Sequence, residues 1–326
     1  MTAIIILNWN GFHDTIACLD SLYKQQCNNF FIIVADNNSQ DKSNEKLISW
    51  LLSKNINHLY VKENDPINGN IKHGDCIIYS LGENYGFAKG NNKALELLRD
   101  VDIDYYLFLN NDTVVTEYFL TTLVNYQQNN NKYKALTPQI RYFSEPTKIW
   151  NCGGRIFGGF RKYYYAKSFV SELPKKEFIP ISFVTGCSLF ITKDLLNSNK
   201  IFTEKFFFGE EDFEFSLRMQ TNKIKMACVL DSIIYHKVSA TQTNETRLGR
   251  VFIHYLNRFI NIRNHYSSFY FYIWSNMNLI YINKIILRHL SKERRRLFVL
   301  LLKSEYQKRN SVSGETFNYY CNLFSK

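Results

Sequence analysis

Apolar runs and helical patterns alternate through the first 125 residues of the chain. The apolar runs predict strands buried on both faces: 3–7, 30–35, 76–81 and 105–109. Between them, apolar residues at helical spacing predict one helix capped by Asp14, one capped by Asp41 and one over Ala88–Arg99. The polar stretch Lys62–Asp75 predicts a loop insertion. This alternation predicts a mostly parallel, doubly wound α/β sheet.

The second half of the chain is less regular. Residues 150–180 contain paired glycines and three consecutive tyrosines, which are typical of turns and short antiparallel strands. An apolar run follows at 183–191, and 210–219 has a helical pattern. Beyond about residue 245 we predict long, basic, aromatic-rich helix. The predicted domains are therefore 1–245, with halves at 1–125 and 126–245, and a helical C-terminal region at 246–326.

Length and composition allow one large α/β domain with a smaller appendage. The chain has 326 residues, and 45% of them are hydrophobic, which is ordinary for a globular protein with a sizeable core. Its seven cysteines are odd in number and scattered, with no CxxC pair. This pattern argues against a disulfide framework and a zinc ribbon, and it suits a reducing cytosol.

Neither the start of the chain nor its longest apolar stretch predicts a membrane span. The first eight residues lack a basic region and resemble a first strand more than a signal peptide. The stretch Phe269–Leu287 is interrupted by a serine, three asparagines and a lysine, so it falls short of the roughly 18 apolar residues that a spanning helix needs. We predict a chain that does not cross a membrane.

The positive charge is concentrated near the C-terminus. Residues 250–310 contain twelve Lys or Arg and two acids, which is +10 of the total charge of +11. Basic residues interleaved with aromatic and aliphatic ones predict a surface that meets anionic lipid headgroups. A solvated basic helix face is the alternative. No nucleic-acid motif accompanies the charge, so we expect no nucleic-acid partner.

Polar residues follow each of the four predicted strands. They are Asn8 and Asn10, then Asp36, then the segment Glu83–Asn92, and finally Asn110-Asn111-Asp112. The carboxyl ends of parallel strands share one edge, where open α/β sheets bind ligands, although Asn and Asp are also common in plain turns. Gly86 and Gly90 before a helix would let backbone approach a ligand, but the segment matches neither GxGxxG nor GxxxxGK[ST].

Two further features lie in the second half. The acids of Glu210–Glu214 open a predicted helix, where the helix dipole favours them, but crowded carboxylates also raise one another's pKa and so tune a general base. His236 ends an apolar run, and a lone histidine is more often structural than a ligand. If His236 lay near Asp112, one carboxylate and one imidazole would suit Mn²⁺ or Mg²⁺ held jointly with substrate phosphates.

Taken in order, these motifs resemble the family 2 glycosyltransferases, which are inverting nucleotide-sugar enzymes with a GT-A fold. The sequence is most similar to the bacterial rhamnosyl- and galactofuranosyltransferase type. The matching motifs are Ile5–Asn10, Val34–Ser39, Asn84–Asn92, Leu109–Asp112, Thr185–Cys187, Glu211-Asp212 with Arg218, and Tyr235-His236. Seven motifs in family order, between residues 4 and about 240, make the resemblance specific.

The resemblance implies a role for each motif. The implied donor-binding residues are Asn8, Asn10, Asp36, Asn84, Gly86, Lys89, Gly90, Asn92, Asn110 and Asn111. Asp112 and His236 would bind the metal, either Mn²⁺ or Mg²⁺. Thr185, Gly186 and Cys187 would border the acceptor. Asp212 would be the general base, with Glu211 beside it. Residues 1–125 would form the nucleotide-sugar half and 126–245 the acceptor half.

The implied activity is sugar transfer with inversion, from a nucleotide-diphosphate sugar to a glycan or polyprenyl-linked glycan hydroxyl. Its setting would be bacterial surface polysaccharide synthesis of O-antigen or capsule type, on the inner face of the cytoplasmic membrane. The chain departs from the family in having two amides and a single carboxylate in Asn110-Asn111-Asp112, which implies weaker metal binding. Lys89 stands where the family has small residues and could pair with a phosphate or face solvent.

Two other functions remain as alternatives. A sugar nucleotidyltransferase would need a glycine-rich, basic triphosphate loop after the first strand, and Asn8-Trp9-Asn10-Gly11 is no such loop. A degenerate transferase acting as an assembly partner is favoured by the single carboxylate at Asp112 and opposed by Glu211, Asp212 and His236.

Overall fold

The structure is a computed structural model that describes residues 1–27, 29–67, 69–198, 201–238 and 247–324. The chain divides into two compact units. The first comprises Met1–Thr203 with Phe215–Ser239, and the second comprises Glu204–Glu214 with Ala240–Lys326. The domain boundary predicted at residue 245 lies outside the described residues.

The first unit alternates strands and helices as predicted. Its strands are β1 (Thr2–Asn8), β2 (Phe30–Asp36), β3 (His58–Lys62), β4 (Cys76–Ser80), β5 (Tyr105–Asn110), β6 (Thr113–Val115), β7 (Tyr133–Tyr142), β8 (Ile149–Asn151), β9 (Gly154–Phe157), β10 (Phe160–Tyr163), β11 (Phe178–Ile181), β12 (Ser188–Thr192) and β13 (Lys225–His236). Its helices are α1 (Phe12–Leu22), α2 (Ser43–Ser53), α3 (Gly86–Leu97), α4 (Phe119–Asn129) and α5 (Lys193–Ser198), with a 3₁₀ turn at Val170–Glu172. Helix α6 (Glu211–Thr221) begins in the second unit and ends in the first.

Within the described residues, eleven strands form one mixed sheet. Its order is β11-β13-β7-β12-β5-β1-β2-β4-β3, with β6 paired to β13 and β8 paired to β7. The five strands from β5 to β3 are parallel, and β12 runs antiparallel to both of its neighbours. β9 and β10 form a separate antiparallel pair. The α/β fold with a mostly parallel sheet and a smaller antiparallel part is confirmed.

Both faces of the central strands are buried, as their continuous apolar runs predict. Ala3 and Ile5 of β1 lie in one core with side chains of α3, α5 and α6. Ile4 and Ile6 lie in the opposite core with side chains of α1, α2 and α4. Helices therefore cover the sheet on both sides, and in open α/β sheets of this kind ligands bind at the carboxyl ends of the strands.

Two local predictions are corrected by the structure. Asp14 does not cap α1, because that helix begins at Phe12 and its N-cap is Gly11, which has no side chain. Asp14 lies instead in the first turn of α1, where its Oδ1 is 2.8 Å from Lys237 Nζ. Asp41 precedes the N-cap residue of α2, Lys42, and accepts a hydrogen bond from Ser43 N at 3.0 Å. Strand β3, which pairs in parallel with β4, was not predicted from the sequence.

The second unit contains the predicted C-terminal helices. They are α7 (Arg247–His265), α8 (Ser268–Tyr281), α9 (Lys292–Lys308) and α10 (Gly314–Leu323), and α8 continues into a π-helical turn at Ile282–Ile286. Serine side chains cap α8, α9 and α10, each accepting a hydrogen bond from the backbone N–H three residues on: Ser267, Ser291 and Ser313. Among the residues that the structure describes, none of these helices, nor any other, has the length and apolar character that crossing a membrane requires.

Aromatic side chains form the core of the second unit. Phe252 stacks on Tyr320 with a centroid distance of 4.4 Å, and Phe259 stacks on Tyr306 at 4.7 Å. α7 and α10 approach closely at Gly249, where a Cβ atom would lie 2.5 Å from the Cα of Cys321. The helical C-terminal region therefore has a packed core of its own.

Candidate active site

The edge where β1 and β2 end holds a buried carboxylate. Asn8 is opposite Asp36 in the parallel register, and both side chains are almost fully buried. Asp36 Oδ1 accepts hydrogen bonds from Asn8 Nδ2 at 2.7 Å and Ser39 Oγ at 2.5 Å, while Oδ2 accepts one from Ser39 N at 3.1 Å. Thr15 Oγ1 donates to Asn8 Oδ1 at 2.7 Å and so fixes the Asn8 amide. The side-chain amide of Asn8 therefore fixes the orientation of the Asp36 carboxylate.

Asn37 joins this edge to the start of α3. Its Nδ2 donates to Asn84 Oδ1 at 2.8 Å and to Gly86 O at 3.2 Å, and its Oδ1 accepts from Tyr85 N at 2.9 Å. Gly86 has a φ of +76°, which glycine adopts without steric cost. A Cβ atom at Gly90 would lie 2.7 Å from Leu7 Cδ1, so this glycine lets α3 pack closely on β1. The N-terminus of α3 is therefore held beside Asp36.

Lys89 and Asn92 of the predicted donor segment have partners within the protein. Lys89 Nζ lies 4.0 Å from the ring centroid of Tyr85 and 3.9 Å from Glu83 Oε1. Asn92 Nδ2 donates to Phe202 O at 2.9 Å. In this structure Asn92 therefore ties α3 to the segment that follows α5.

Asparagines also line the loop after β1. Asn10 has a φ of +50° and accepts a hydrogen bond from Gln40 N at 2.7 Å. Asn111 Nδ2 donates to Thr15 Oγ1 at 3.1 Å, which links the end of β5 to α1. Asn110, the last residue of β5, donates its backbone N–H to Cys187 O at 2.9 Å. These groups therefore join the ends of β1 and β5 to neighbouring loops and to α1.

Asp112 and His236 lie together, although 124 positions separate them in the sequence. β6 pairs antiparallel with β13 and places Thr113 opposite His236. His236 Nε2 lies 3.1 Å from Asp112 Oδ1, and the imidazole packs edge-on against Trp150 with a centroid distance of 4.5 Å. His236 Nδ1 is buried and has no hydrogen-bond partner among the described residues. A carboxylate and an imidazole this close form two donors of the kind that hold Mn²⁺ or Mg²⁺.

Among the residues that the structure describes, no complete protein-made metal site accompanies this pair. Within the described ranges of the chain, no three Asp, Glu, His or Cys side chains converge as a metal-binding cluster. A cation held by Asp112 and His236 would need further oxygen ligands, which water and the phosphates of a bound substrate can supply. The residues present fit a cation shared with substrate.

The segment Thr185-Gly186-Cys187 lies just before β12, the strand that pairs with β5. Thr185 Oγ1 accepts a hydrogen bond from Cys187 N at 3.3 Å. Burial, together with the negative charge of Asp112, raises the pKa of the Cys187 thiol well above its ordinary value. Cys187 is therefore a neutral thiol at physiological pH and is no nucleophile.

Glu211 and Asp212 form the first turn of α6 and belong to the second unit. Glu211 is only 7% exposed, and its Oε2 has no hydrogen-bond partner among the described residues. Burial, with repulsion from Asp212 and Glu210, raises the pKa of Glu211 from 4.5 to about 8. Glu211 is therefore mostly protonated at neutral pH, and Asp212 is half-buried beside it.

Sequence reasoning missed four residues that shape these sites. Ser39 and Asn37 fall inside the quoted motif that contains Asp36, so their proximity was available from the sequence. Thr15 sits within α1 and Trp150 within β8, and neither position carries a local signal. Their contacts exist only because distant segments meet in the folded sheet.

Comparisons with known proteins agree with this architecture. Residues 3–198, more than half of the chain, match the family model described as Glycosyl transferase family 2. A search of curated protein sequences gives no match.

Three solved structures share the fold at low sequence identity. TarS 1-349 from S. aureus is 13% identical, with a TM-score of 0.55, covering 94% of this chain and 79% of that one. The mannosyltransferase PcManGT from Pyrobaculum calidifontis, solved with GDP-Man and Mn²⁺, is 12% identical, with a TM-score of 0.56. The match covers 100% of this chain and 87% of that one. GalNAc-T7, solved with UDP, GalNAc and Mn²⁺, is 12% identical, with a TM-score of 0.59, covering 98% of this chain and 55% of that one. These likenesses confirm the GT-A fold.

Proposed function

This chain belongs to glycosyl transferase family 2, and we propose that it transfers a sugar from a nucleotide-diphosphate sugar to a hydroxyl group of a glycan or lipid-linked glycan, with inversion. The observation that carries the proposal is the set of polar residues at strand ends: Asp36 ends β2, and Asp112, just after β5, meets His236 at the end of β13. Ligands of open α/β sheets bind at such strand ends.

We assign donor binding to the first unit. The carboxylate of Asp36, held by Asn8 and Ser39, is suited to accept hydrogen bonds from a base or ribose. The N-terminus of α3, fixed by Asn37 and Asn84, offers backbone N–H groups and a favourable dipole to an anionic diphosphate. Asn10, Asn110 and Asn111 supply neutral polar groups around the same edge.

Asp112 and His236 are the residues that would hold a divalent cation, Mn²⁺ or Mg²⁺. Two of the structural neighbours, GalNAc-T7 and PcManGT, were solved with Mn²⁺. When bound, such a cation offsets the negative charge that develops on the leaving diphosphate. The amides of Asn110 and Asn111 bring no charge of their own, so Asp112 is the single carboxylate of this motif.

The acceptor is activated by a carboxylate in our proposal. Asp212 takes the proton of the acceptor hydroxyl while the hydroxyl oxygen bonds to the anomeric carbon. The bond from that carbon to the diphosphate oxygen breaks on the opposite face, and the single displacement inverts the configuration. Glu211 is a poor base at neutral pH because burial keeps it protonated, which leaves the role to Asp212. Thr185, Gly186 and Cys187 border the acceptor in this assignment.

The second unit would bring the enzyme to a polyprenyl-linked acceptor at an anionic membrane surface. Helix α8 and its π-helical turn expose a row of large apolar side chains: Phe269, Tyr272, Ile273, Met277, Ile280, Tyr281 and Ile285. Exposed basic residues follow directly: Lys284, Arg288, Lys292, Arg294 and Arg296. An apolar face beside a basic rim has the chemistry of an interfacial membrane helix.

Liposome flotation tests this membrane proposal. We expect the double variant Ile273→Ser/Ile280→Ser to lose binding to vesicles that contain anionic lipid. The control is Leu52→Ser, since Leu52 is an apolar residue on α2 of the first unit that is at least as exposed as Ile273 and Ile280. Full binding by the double variant would refute the assignment. The inner face of the cytoplasmic membrane, in bacterial surface polysaccharide synthesis, is the setting that we propose.

The central experiment is a screen of nucleotide sugars with Mn²⁺ present. A donor that binds the folded protein raises its melting temperature by mass action, so the screen identifies nucleotide and sugar together. Release of nucleoside diphosphate on addition of an acceptor then demonstrates transfer. Donor binding without release would favour a degenerate assembly partner. Release of pyrophosphate from a nucleoside triphosphate and a sugar phosphate would favour a nucleotidyltransferase.

A further inference from the structure

The backbone just before α6 adopts an unusual conformation. Gly209 and Glu210 have φ values of +89° and +74°, so two consecutive residues are in the left-handed region. Glycine tolerates this region, but a residue with a side chain is uncommon there and is maintained by its surroundings. Glu210 is also only 4% exposed although it bears a carboxylate. Something must therefore hold this residue in place.

The side chain of Glu210 is held by α7. Arg258 donates to both carboxylate oxygens, from Nη2 to Oε1 at 2.9 Å and from Nε to Oε2. His254 Nδ1 lies 3.0 Å from Oε1. The Arg258 guanidinium also lies 3.7 Å from the ring centroid of Phe213, in the first turn of α6. A bidentate arginine fixes the direction of a carboxylate as well as offsetting its charge.

The backbone of the same segment is held by two buried amides of α7. Asn257 Nδ2 donates to Phe208 O at 3.1 Å and to Gly209 O at 2.8 Å. Asn261 Nδ2 donates to Glu210 O at 3.1 Å. Three consecutive carbonyl groups, from Phe208 to Glu210, thus receive donors from one helix. A buried amide is unfavourable unless it is hydrogen-bonded. The carbonyl groups of this segment supply the partners that Asn257 and Asn261 need.

These contacts come from one side of α7. His254, Asn257, Arg258 and Asn261 follow the spacing that places residues on one helix face, and His265 continues it. His265 Nε2 lies 3.3 Å from Glu214 Oε1, on the far side of Asp212 in the sequence. We call these five residues the α7 stripe. The stripe contacts α6 and its approach on both sides of the Glu211-Asp212 pair.

We propose that the α7 stripe is a set of positioning residues for acceptor activation: by fixing Phe208–Glu210 and Glu214, it sets the placement of the Asp212 carboxylate. This rests on the proposed function, in which Asp212 is the base. Errors of about 1 Å in the position of a catalytic group can cost about 100-fold in rate. A device that fixes the backbone on both sides of such a group therefore has a direct effect on turnover.

Arg258→Lys tests the proposal, because lysine keeps the charge but loses the two-pronged geometry. We expect kcat to fall about 10- to 100-fold, with the KM and Kd for the donor unchanged. Asn257→Ala, which deletes only neutral hydrogen bonds, should lower kcat in the same direction and serves if Arg258→Lys folds poorly. Unchanged kcat in both variants, with normal folding, would overturn the proposal.

The chain offers a matched control on the same helix. Arg263 of α7 also binds backbone carbonyls, including Arg309 O at 2.7 Å, but its partners are the end of α9 and the residues just after it. Arg263→Lys should lower the melting temperature and leave kcat within about 2-fold, well below the positioning effect. An equal loss of kcat in Arg258→Lys and Arg263→Lys would show general destabilisation and refute a positioning role.

Hydrogen–deuterium exchange separates this proposal from the proposed function. We expect faster exchange at 208–214 in Arg258→Lys and wild-type exchange there in Arg263→Lys. Unchanged exchange in Arg258→Lys overturns the stripe whatever the activity. If exchange responds as expected but Asp212→Asn retains wild-type transfer, the stripe still holds the segment and the base assignment of the proposed function is the part that fails.

Discussion

Two regions of this molecule bury carboxylates in opposite ways. At the β1–β2 edge, Asp36 accepts three hydrogen bonds from the side chains and backbone of Asn8 and Ser39. At the start of α6, burial and neighbouring acids hold Glu211 protonated, and its Oε2 has no partner among the described residues. The first carboxylate is surrounded by hydrogen-bond donors, whereas the second is surrounded by other acids and apolar groups. Two buried carboxyl groups therefore differ because their surroundings differ.

The largest expected effect comes from the α6 acid that remains available as a base. Asp212→Asn removes the proton acceptor, and general-base catalysis contributes about 10²- to 10⁴-fold, so kcat should fall by that order. Nucleotide-sugar binding, measured by calorimetry, should stay close to wild type. Glu211→Gln is the matched control, since glutamine resembles the protonated acid and should retain most activity. Wild-type turnover by Asp212→Asn would show that Asp212 is not the base. Donor binding at the β1–β2 edge and proton transfer at α6 would then not be separate tasks of the two regions.

A smaller effect is expected at the Asp112–His236 pair. Asp112→Ala removes the only charged donor of its motif, so we expect the Mn²⁺ concentration needed for donor binding to rise by about one to two orders of magnitude. His236→Ala should act in the same direction and more weakly, because a neutral ligand is lost. Asp194→Asn, at an exposed acid paired with Lys134, is the control. An unchanged Mn²⁺ titration in both site variants would contradict the cation assignment.

At the β1–β2 edge, Asn8→Leu removes one of the hydrogen-bond donors of the Asp36 carboxylate. A buried polar group that loses its partner destabilises the fold by about 1–3 kcal/mol, and urea denaturation would measure this loss. Thr15→Val is the comparison: it removes the hydrogen bonds of Thr15 Oγ1 with Asn8, Asn111 and Gly11 but none of those that Asp36 accepts. If Asn8→Leu is as stable as wild type, the Asp36 network does not depend on Asn8.

The remaining prediction is a pH dependence set by Glu211. Its pKa is raised to about 8 in the folded protein, against an ordinary value of 4.5. Between these values the unfolded chain releases this proton and the folded chain keeps it, so the stabilising contribution of the neutral acid is present below 4.5 and lost as the pH rises to about 8.

Glu211→Gln does not titrate and should therefore gain stability over wild type as the pH rises through this window. The difference between pH 5 and pH 8 should be about 1–3 kcal/mol, measured as free energies of unfolding in urea. A difference that stays constant across the window would show that Glu211 is ionised in the folded protein.

The sequence was sufficient to predict four of the five parallel strands, β1, β2, β4 and β5, and their polar ends. Continuous apolar runs such as Tyr105–Leu109 can be buried only between two layers, and parallel strands place their ends at one edge. β3 was not predicted because its apolar run, Leu59–Val61, is only three residues long and most of its side chains are exposed or half-exposed. Asp14 was wrongly assigned as a cap because a nearby acid in the first turn gives the same sequence pattern as an N-cap.

Contacts between distant segments were beyond the reach of local patterns. His236 meets Asp112 only because the three-residue β6 pairs with the end of β13. Asn8 has the residue type of a donor-binding site, but the sequence cannot tell whether its amide points to a ligand or to Asp36. In the sequence, α7 looks like one more basic, aromatic-rich helix. The part played by its polar residues becomes visible only from their contacts with residues 208–210.

The mixed strand order has a consequence for how the protein is made. β1 pairs with β5, about a hundred residues later, and β6 pairs with β13, more than a hundred residues later again. Pairings between such distant segments form slowly, and domains fold as their residues leave the ribosome at about 5–20 per second. The β1–β2 edge can be assembled from an early nascent chain, but Asp112 must wait for His236. A partly synthesised chain would thus hold the residues proposed to bind the donor before it could pair those proposed to hold a cation.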